Sequence, residues 1–186
     1  MDTGPHRLLA ATTVIAAAHT WTLPPAQVGV MVVAAAVTGG GVLSPDIDLR
    51  WARVDGLIPD EVLGGGGPLG HRALSHWWGW PALLAVWLTY GPPLPSVPSW
   101  ILWGVVAGWG SHLAGDALFG AAGYGHGKGV PLLPWSVRFG TGIPCGSLTA
   151  RVVSYGVLPA ALAWLTLTLA AGWPVVPSSA FLEALQ

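Results

Sequence analysis

Charge is what this chain has least of. Of 186 residues only 8% are charged, against 53% hydrophobic, where an ordinary soluble domain carries about 25% charged residues. So little charge does not coat a water-facing surface of this size, and a bilayer is the better solvent for the chain. Basic residues number seven against eight acids, for a net charge of -1. That argues against a nucleic-acid partner, since neutralising phosphates takes a basic surface. One cysteine, Cys145, permits neither an internal disulfide nor a Cys-x-x-Cys site. Tryptophan, by contrast, is plentiful at twelve residues. Several of them (Trp21, Trp78, Trp80, Trp100, Trp173) stand near Pro or Gly at the ends of apolar runs, where amphipathic rings anchor at the lipid–water boundary.

A spanning helix needs about 20 mostly apolar residues. The length permits a single membrane domain, 1–186, and five runs within it approach the requirement: 8–23, 28–43, 74–90, 100–119 and 152–173. The expected fold is therefore all-α and polytopic, with about five short transmembrane helices. Runs one to three are marginal in length; the last two are long enough to cross unaided. Alternating spans put the N-terminus, 44–73 and 120–151 on one side, and 24–27, 91–99 and the C-terminus on the other. All seven basic residues (Arg7, Arg50, Arg53, Arg72, Lys128, Arg138 and Arg151) then fall on the first side. Basic residues in short loops stay in the cytoplasm, so the N-terminus is expected inside and the C-terminus outside. A second reading of the start, as a secretory signal peptide with Arg7 before an apolar stretch and Ala16-Ala17-Ala18 as its small residues, is the weaker one. The stretch 57–63 has Pro and acids in its first turn and reads as a short interfacial helix. Gly64 to Gly67 reads as a hinge or a close backbone approach.

Polar groups in such a chain are informative by their rarity. A charge at the centre of a bilayer costs about 2.5 to 3.5 kcal/mol or more, and is kept mainly for function. In Ser111-His112-Leu113-Ala114-Gly115-Asp116, His112 and Asp116 share one helical face about one turn apart; the bland reading is a hydrogen-bonded packing pair. In Leu43-Ser44-Pro45-Asp46-Ile47-Asp48, two carboxylates at a helix C-terminus oppose the macrodipole, so ligation or base catalysis explains them better than structure does. In His71-Arg72-Ala73-Leu74-Ser75-His76, two imidazoles converge if His71 lies in the preceding loop. Arg72 offers a planar fork for phosphate or carboxylate. His6 and His126 fall on the same side, whereas His19, toward the outer end of the first run, reads as a packing or interfacial residue. Together His6, Asp46, Asp48, His71, His76, His112 and Asp116 come from four helix ends at one membrane face. Mixed His and carboxylate donors suit Zn²⁺, Mn²⁺ or Fe²⁺. Seven candidates exceed one tetrahedral shell, which leaves room for a second ion or an outer-shell base.

These stretches resemble the YdjM-like family of bacterial inner-membrane proteins, described as predicted metal-dependent hydrolases and, in some species, as LexA-regulated. The shared pattern is an N-terminal His, a Leu-Pro-Asp-Ile-Asp-like helix end, His-Arg-Gly-x-Thr-His-Ser, Ser-His-x-x-x-Asp and a Pro-Leu-x-Pro loop. It corresponds here to Pro5-His6-Arg7, the 43–48, 71–76 and 111–116 stretches, and Pro131-Leu132-Leu133-Pro134-Trp135. Ala73 replaces the usual Gly, Ser75 replaces Thr and keeps a hydroxyl, and Trp77 replaces Ser. The resemblance implies a bacterial inner-membrane location and a metal-dependent hydrolase. The candidate ligands are His6, Asp46, His71, His76, His112 and Asp116, for one or two divalent transition ions, zinc foremost. Asp48 would be the general base, Arg72 would hold an anionic group, and Ser75 completes the catalytic candidates. A phosphate- or ester-containing lipid is the natural substrate for a site at the interface. The rival expectations are a metal-ion or proton transporter, disfavoured by an outer half nearly bare of polar groups, and a scaffold with a structural metal.

Overall fold

The computed structural model describes residues 3–21, 23–41, 43–46, 74–119, 130–131, 138–141, 143–144 and 146–172. Five helices dominate them: α1 (Thr3–Trp21), α2 (Pro25–Gly40), α3 (Gly79–Tyr90), α4 (Ser99–Phe119) and α5 (Leu148–Ala170). The remaining regular element is a minimal antiparallel pair, β1 (Val130–Pro131) with β2 (Arg138–Phe139), in which Val130 faces Phe139 and Pro131 faces Arg138. Apolar-run analysis does not anticipate that pair. Nearby, Thr141 N–H donates to the Ala117 carbonyl of α4 at 2.9 Å.

Local chemistry accounts for the helix ends. α2 opens on Pro25, whose fixed φ suits the first helical position, and closes on glycines, with Arg7 Nε donating to the Gly40 carbonyl at 2.9 Å. The α5 N-terminus is capped by Ser147, whose hydroxyl accepts from Ala150 N–H at 3.2 Å. Within α5 a single π-helical turn, Val153–Val157, precedes Pro159, whose ring removes one donor and crowds the preceding turn.

α2 packs against both α1 and α4, α1 also against α4 and α5, and α3 against α4. One core cluster joins Ala10 and Val14 to Met31 and Ala35; a second joins Ile15, Ala18 and Val28, with Leu162, Leu165 and Leu169 packed on it. A close approach between α2 and α4 is set by glycine. A Cβ on Gly104 would lie 2.8 Å from the Met31 carbonyl oxygen, and one on Gly108 would lie 2.8 Å from Ala35 Cα. This is the small-residue, four-spaced packing by which helices associate in lipid. Outward faces stay apolar: Leu83, Val86, Trp164 and Leu167 are exposed.

The helix count agrees with the expected five; five membrane crossings are not established. Among the described residues one helix, Leu148–Ala170, is long and apolar enough to cross a membrane by length and composition, with mean hydropathy 1.7. Two reasons separate it from the others. α2 has 16 residues and α3 has 12, so at 1.5 Å per residue they reach about 24 and 18 Å, short of a hydrocarbon layer of about 30 Å. α1 and α4 are longer but include polar residues, His6, Arg7 and His19 in one, Ser111, His112 and Asp116 in the other.

Candidate metal centre

The helix ends converge as the spacing predicts. His6 comes from the first turns of α1, Asp46 from the turn just beyond α2, His76 from the turn before α3, and His112 and Asp116 from the last two turns of α4. His6, His76 and His112 have no exposure and Asp116 has 1%. Asp46 is the most open of them, its side chain 18% exposed.

Asp46, His76, His112 and Asp116 each offer one ligand atom, and these atoms all lie within 4.8 Å of one another. His76 Nε2 is 3.3 Å from Asp46 Oδ1, 3.4 Å from Asp116 Oδ2 and 3.4 Å from His112 Nε2. His112 Nε2 is 3.6 Å from Asp116 Oδ2 and 3.7 Å from Asp46 Oδ1. Every one of these separations exceeds the usual hydrogen-bond range of about 2.7–3.2 Å. They match instead the spacing of donors around one tetrahedral ion: bonds of about 2.0–2.2 Å put ligand atoms about 3.3–3.6 Å apart. Two carboxylates and two neutral imidazoles supply the charge a dication neutralises. The donor set therefore fits a divalent metal ion, and the site can hold one.

Outer contacts set the protonation that ligation needs. His112 Nδ1 lies 2.7 Å from the Gly39 carbonyl oxygen. A carbonyl can only accept, so Nδ1 carries the proton and Nε2 turns a lone pair inward. This is the tautomer lock found around ligating histidines. His76 Nδ1 is 3.0 Å from the Ser75 hydroxyl. The turn that holds them is tied down on both sides: Trp109 of α4 donates to the Ser75 carbonyl at 3.2 Å, and Trp80 to that of Leu74 at 2.9 Å. Asp46, outside the helices, remains ionised despite burial, which alone would raise its pKa. The close approach of His76, 3.3 Å away, and coulombic attraction to His112 and His76 hold its carboxyl below the usual carboxylate range.

His6 stands beside this group rather than within it. Its ring stacks on that of His112, centroids 4.0 Å apart and planes 19° from parallel, and its Nε2 is 3.6 Å from Asp116 Oδ1. His19 lies at the other end of α1, where its Nε2 donates to the Leu165 carbonyl at 2.8 Å; it packs α1 against α5. Asp48, His71, Arg72 and His126 lie outside the described residues, as do the 57–63 stretch, Gly64 to Gly67 and 132–135. A surface cavity of about 470 Å³ is at the opposite end of α3 and α4, between Trp87, Gly91, Pro93, Pro98 and Leu102. No titratable side chain lines it.

Three positions important to the site escape a search for ligating residue types: Gly39, Gly104 and Gly108. Their signal was nonetheless present. Gly104, Gly108, His112 and Asp116 recur every four residues, so the stripe that meets α2 closely also carries two candidate ligands.

The family model described as YdjM inner membrane protein matches residues 1–181. The chain belongs to that family. Neither a curated protein nor a solved structure matches it.

Proposed function

Given that membership and the His/Asp cluster, we propose that the chain is a membrane-embedded metal-dependent hydrolase working at the cytoplasmic leaflet on a phosphate- or ester-containing lipid. The observation that carries the reading is the set of five ligand-atom separations between 3.3 and 3.7 Å in a buried group of two histidines and two aspartates. Asp46, His76, His112 and Asp116 would hold the ion, with zinc, manganese or iron(II) suited to the mixed donors. When bound, such an ion lowers the pKa of water and polarises a phosphoryl or acyl oxygen.

The chain's own residues do the rest. The Gly39 carbonyl keeps the proton of His112 on Nδ1, and so keeps Nε2 basic. Ser75 fixes the orientation of the His76 ring. Asp46 is the most exposed of the four, so its side is where substrate and water reach the centre. Asp48, two residues on, is the proposed general base, and Arg72 the fork that holds an anionic headgroup. A lipid substrate suits a centre held at helix ends among outward apolar faces, because a headgroup meets it without leaving the bilayer.

The test has two parts. Metal analysis of the purified full chain should find a bound transition metal, lost in His112→Ala combined with Asp116→Ala. The metal-loaded protein should then release phosphate or carboxylate from a panel of phospholipids and isoprenoid phosphates. A metal-free wild type sinks the centre; a loaded protein inert across the panel sinks the hydrolase.

A further inference from the structure

His6 is fully buried, and neither of its ring nitrogens makes a hydrogen bond among the described residues. A buried imidazole without a partner costs about 1–3 kcal/mol per unmet group. Such a residue calls for an explanation. Its geometry supplies one. Nε2 lies 3.6 Å from Asp116 Oδ1, too far for a hydrogen bond and within the spacing of two donors on one ion.

That ion is not the one held by the four-residue group. His6 and His112 are nearly parallel, 4.0 Å apart, and both direct Nε2 at the same carboxylate, His6 at Oδ1 and His112 at Oδ2. Lone pairs confined to two nearly parallel ring planes about 4.0 Å apart do not readily meet at one point about 2.1 Å from each nitrogen. They serve two points set side by side. The offset also matches the roughly 3.5–4 Å between ions in two-metal sites, where a carboxylate commonly lies between them.

We propose that this chain carries a second divalent-cation position, bounded by His6 Nε2 and Asp116 Oδ1, with Asp116 bridging it to the first. The inference rests on the metal centre proposed above and adds to it. Among the described residues two protein donors face the second position, which leaves room for water or an oxygen of the substrate and makes it the weaker and more exchangeable of the two. A phosphate oxygen is well matched to such a gap, which favours a phosphate ester over a carboxylic ester as substrate class.

Titration of the metal-stripped, detergent-solubilised full chain with Co²⁺, followed by visible absorption and by metal analysis after desalting, tests the proposal. Wild type should take up two ions per chain in separable steps, and His6→Ala one, with the first step unchanged. His6→Gln, closer in volume to the native ring, should also take up one, which guards against a packing defect in the alanine variant. One ion in wild type with no change in either variant overturns the second position and leaves the first intact. Loss of both ions in a monodisperse His6→Gln protein also overturns it, since His6 would then serve the first ion. No uptake by wild type would sink the underlying metal centre and this position with it.

Discussion

Adding one methyl group to Gly108 should disable a metal site that the residue does not touch. A Cβ there would sit 2.8 Å from Ala35 Cα and closer still to the Ala35 carbonyl and the Thr38 hydroxyl. These are main-chain atoms and a hydroxyl held by the Ala34 carbonyl at 2.8 Å, so neither side yields easily. Ordinary contact needs about 3.5–4.0 Å between carbons, so α2 and α4 must separate by about 1 Å at this level. His112 is one turn further along α4 and its Nδ1 reaches across to Gly39 of α2 at 2.7 Å. Opened by about 1 Å, that bond passes beyond hydrogen-bonding range, and ligand positions drift well past the roughly 0.2 Å a metal shell tolerates. The expected cost is about 1–3 kcal/mol of helix packing and a loss of about 10–100-fold in metal affinity, the usual effect of removing an outer-shell partner. Competition between the protein and a chromophoric chelator reads the affinity; thermal unfolding in detergent reads the packing. Gly110→Ala is the control, since a Cβ there meets nothing within 4 Å, and it should leave the metal untouched and stabilise the helix by up to about 1 kcal/mol. Wild-type affinity in Gly108→Ala, or equal losses in both variants, would refute the claim that close α2–α4 contact sets the ligand geometry.

Two further outcomes follow from the outer contacts. Ser75→Ala removes the hydroxyl 3.0 Å from His76 Nδ1 and should weaken metal binding by about 10-fold or more, with Ser75→Thr restoring it; unchanged affinity in the alanine variant, measured by the same competition, would deny Ser75 a positioning role. Asp46 has its pKa lowered by folding, so in the metal-free protein its stabilising effect is complete above the unfolded carboxyl value of about 3.9 and is lost as pH falls toward the lower folded value. Unfolding temperatures measured with chelator present from pH 7 to pH 3 should therefore fall faster for wild type than for Asp46→Asn below about pH 4, and parallel curves would contradict the ion pairing.

The candidate ligands are more legible in the sequence than the helices that hold them. His76, His112, Asp46 and Asp116 could be named because a charge in an apolar run is costly enough to imply a purpose, and four residues of separation put His112 over Asp116 whatever the tertiary fold. Apolar runs locate helix middles well but miss how the chain turns into them. The run at 74–90 reads as helix throughout, yet α3 begins only at Gly79, because Leu74 to Trp78 are bent into the turn that carries His76 inward. At the other extreme, α1 starts at Thr3, ahead of the apolar run, which brings His6 onto a helix and fixes its ring against His112. Counting apolar residues cannot reveal that, since the contact belongs to two helices and not to one.

The candidate ligands and the helix packing belong to one feature of this chain. On α4 the positions 104, 108, 112 and 116 form a single stripe: its first half is glycine and its second half candidate ligand. On α2 the facing positions include Met31, Ala35 and Gly39, the last of which accepts the His112 proton. On α1 the corresponding stripe runs His6, Ala10, Val14 and Ala18, all buried. Gly39 is the junction of the three, since a Cβ there would lie 2.7 Å from that of Ala10, 3.1 Å from the Gly108 carbonyl oxygen and 3.4 Å from that of His6. In lipid, where apolar burial does not drive helices together, such close small-residue contact is what holds them. The same contact brings the imidazoles of His6 and His112 and the Asp116 carboxylate within reach of one another, so a tightly packed part of the bundle is also the part able to capture a cation. A bound ion would in turn cross-link α4 to the chain segments flanking α2 and α3, adding to the folded state the free energy of its own binding.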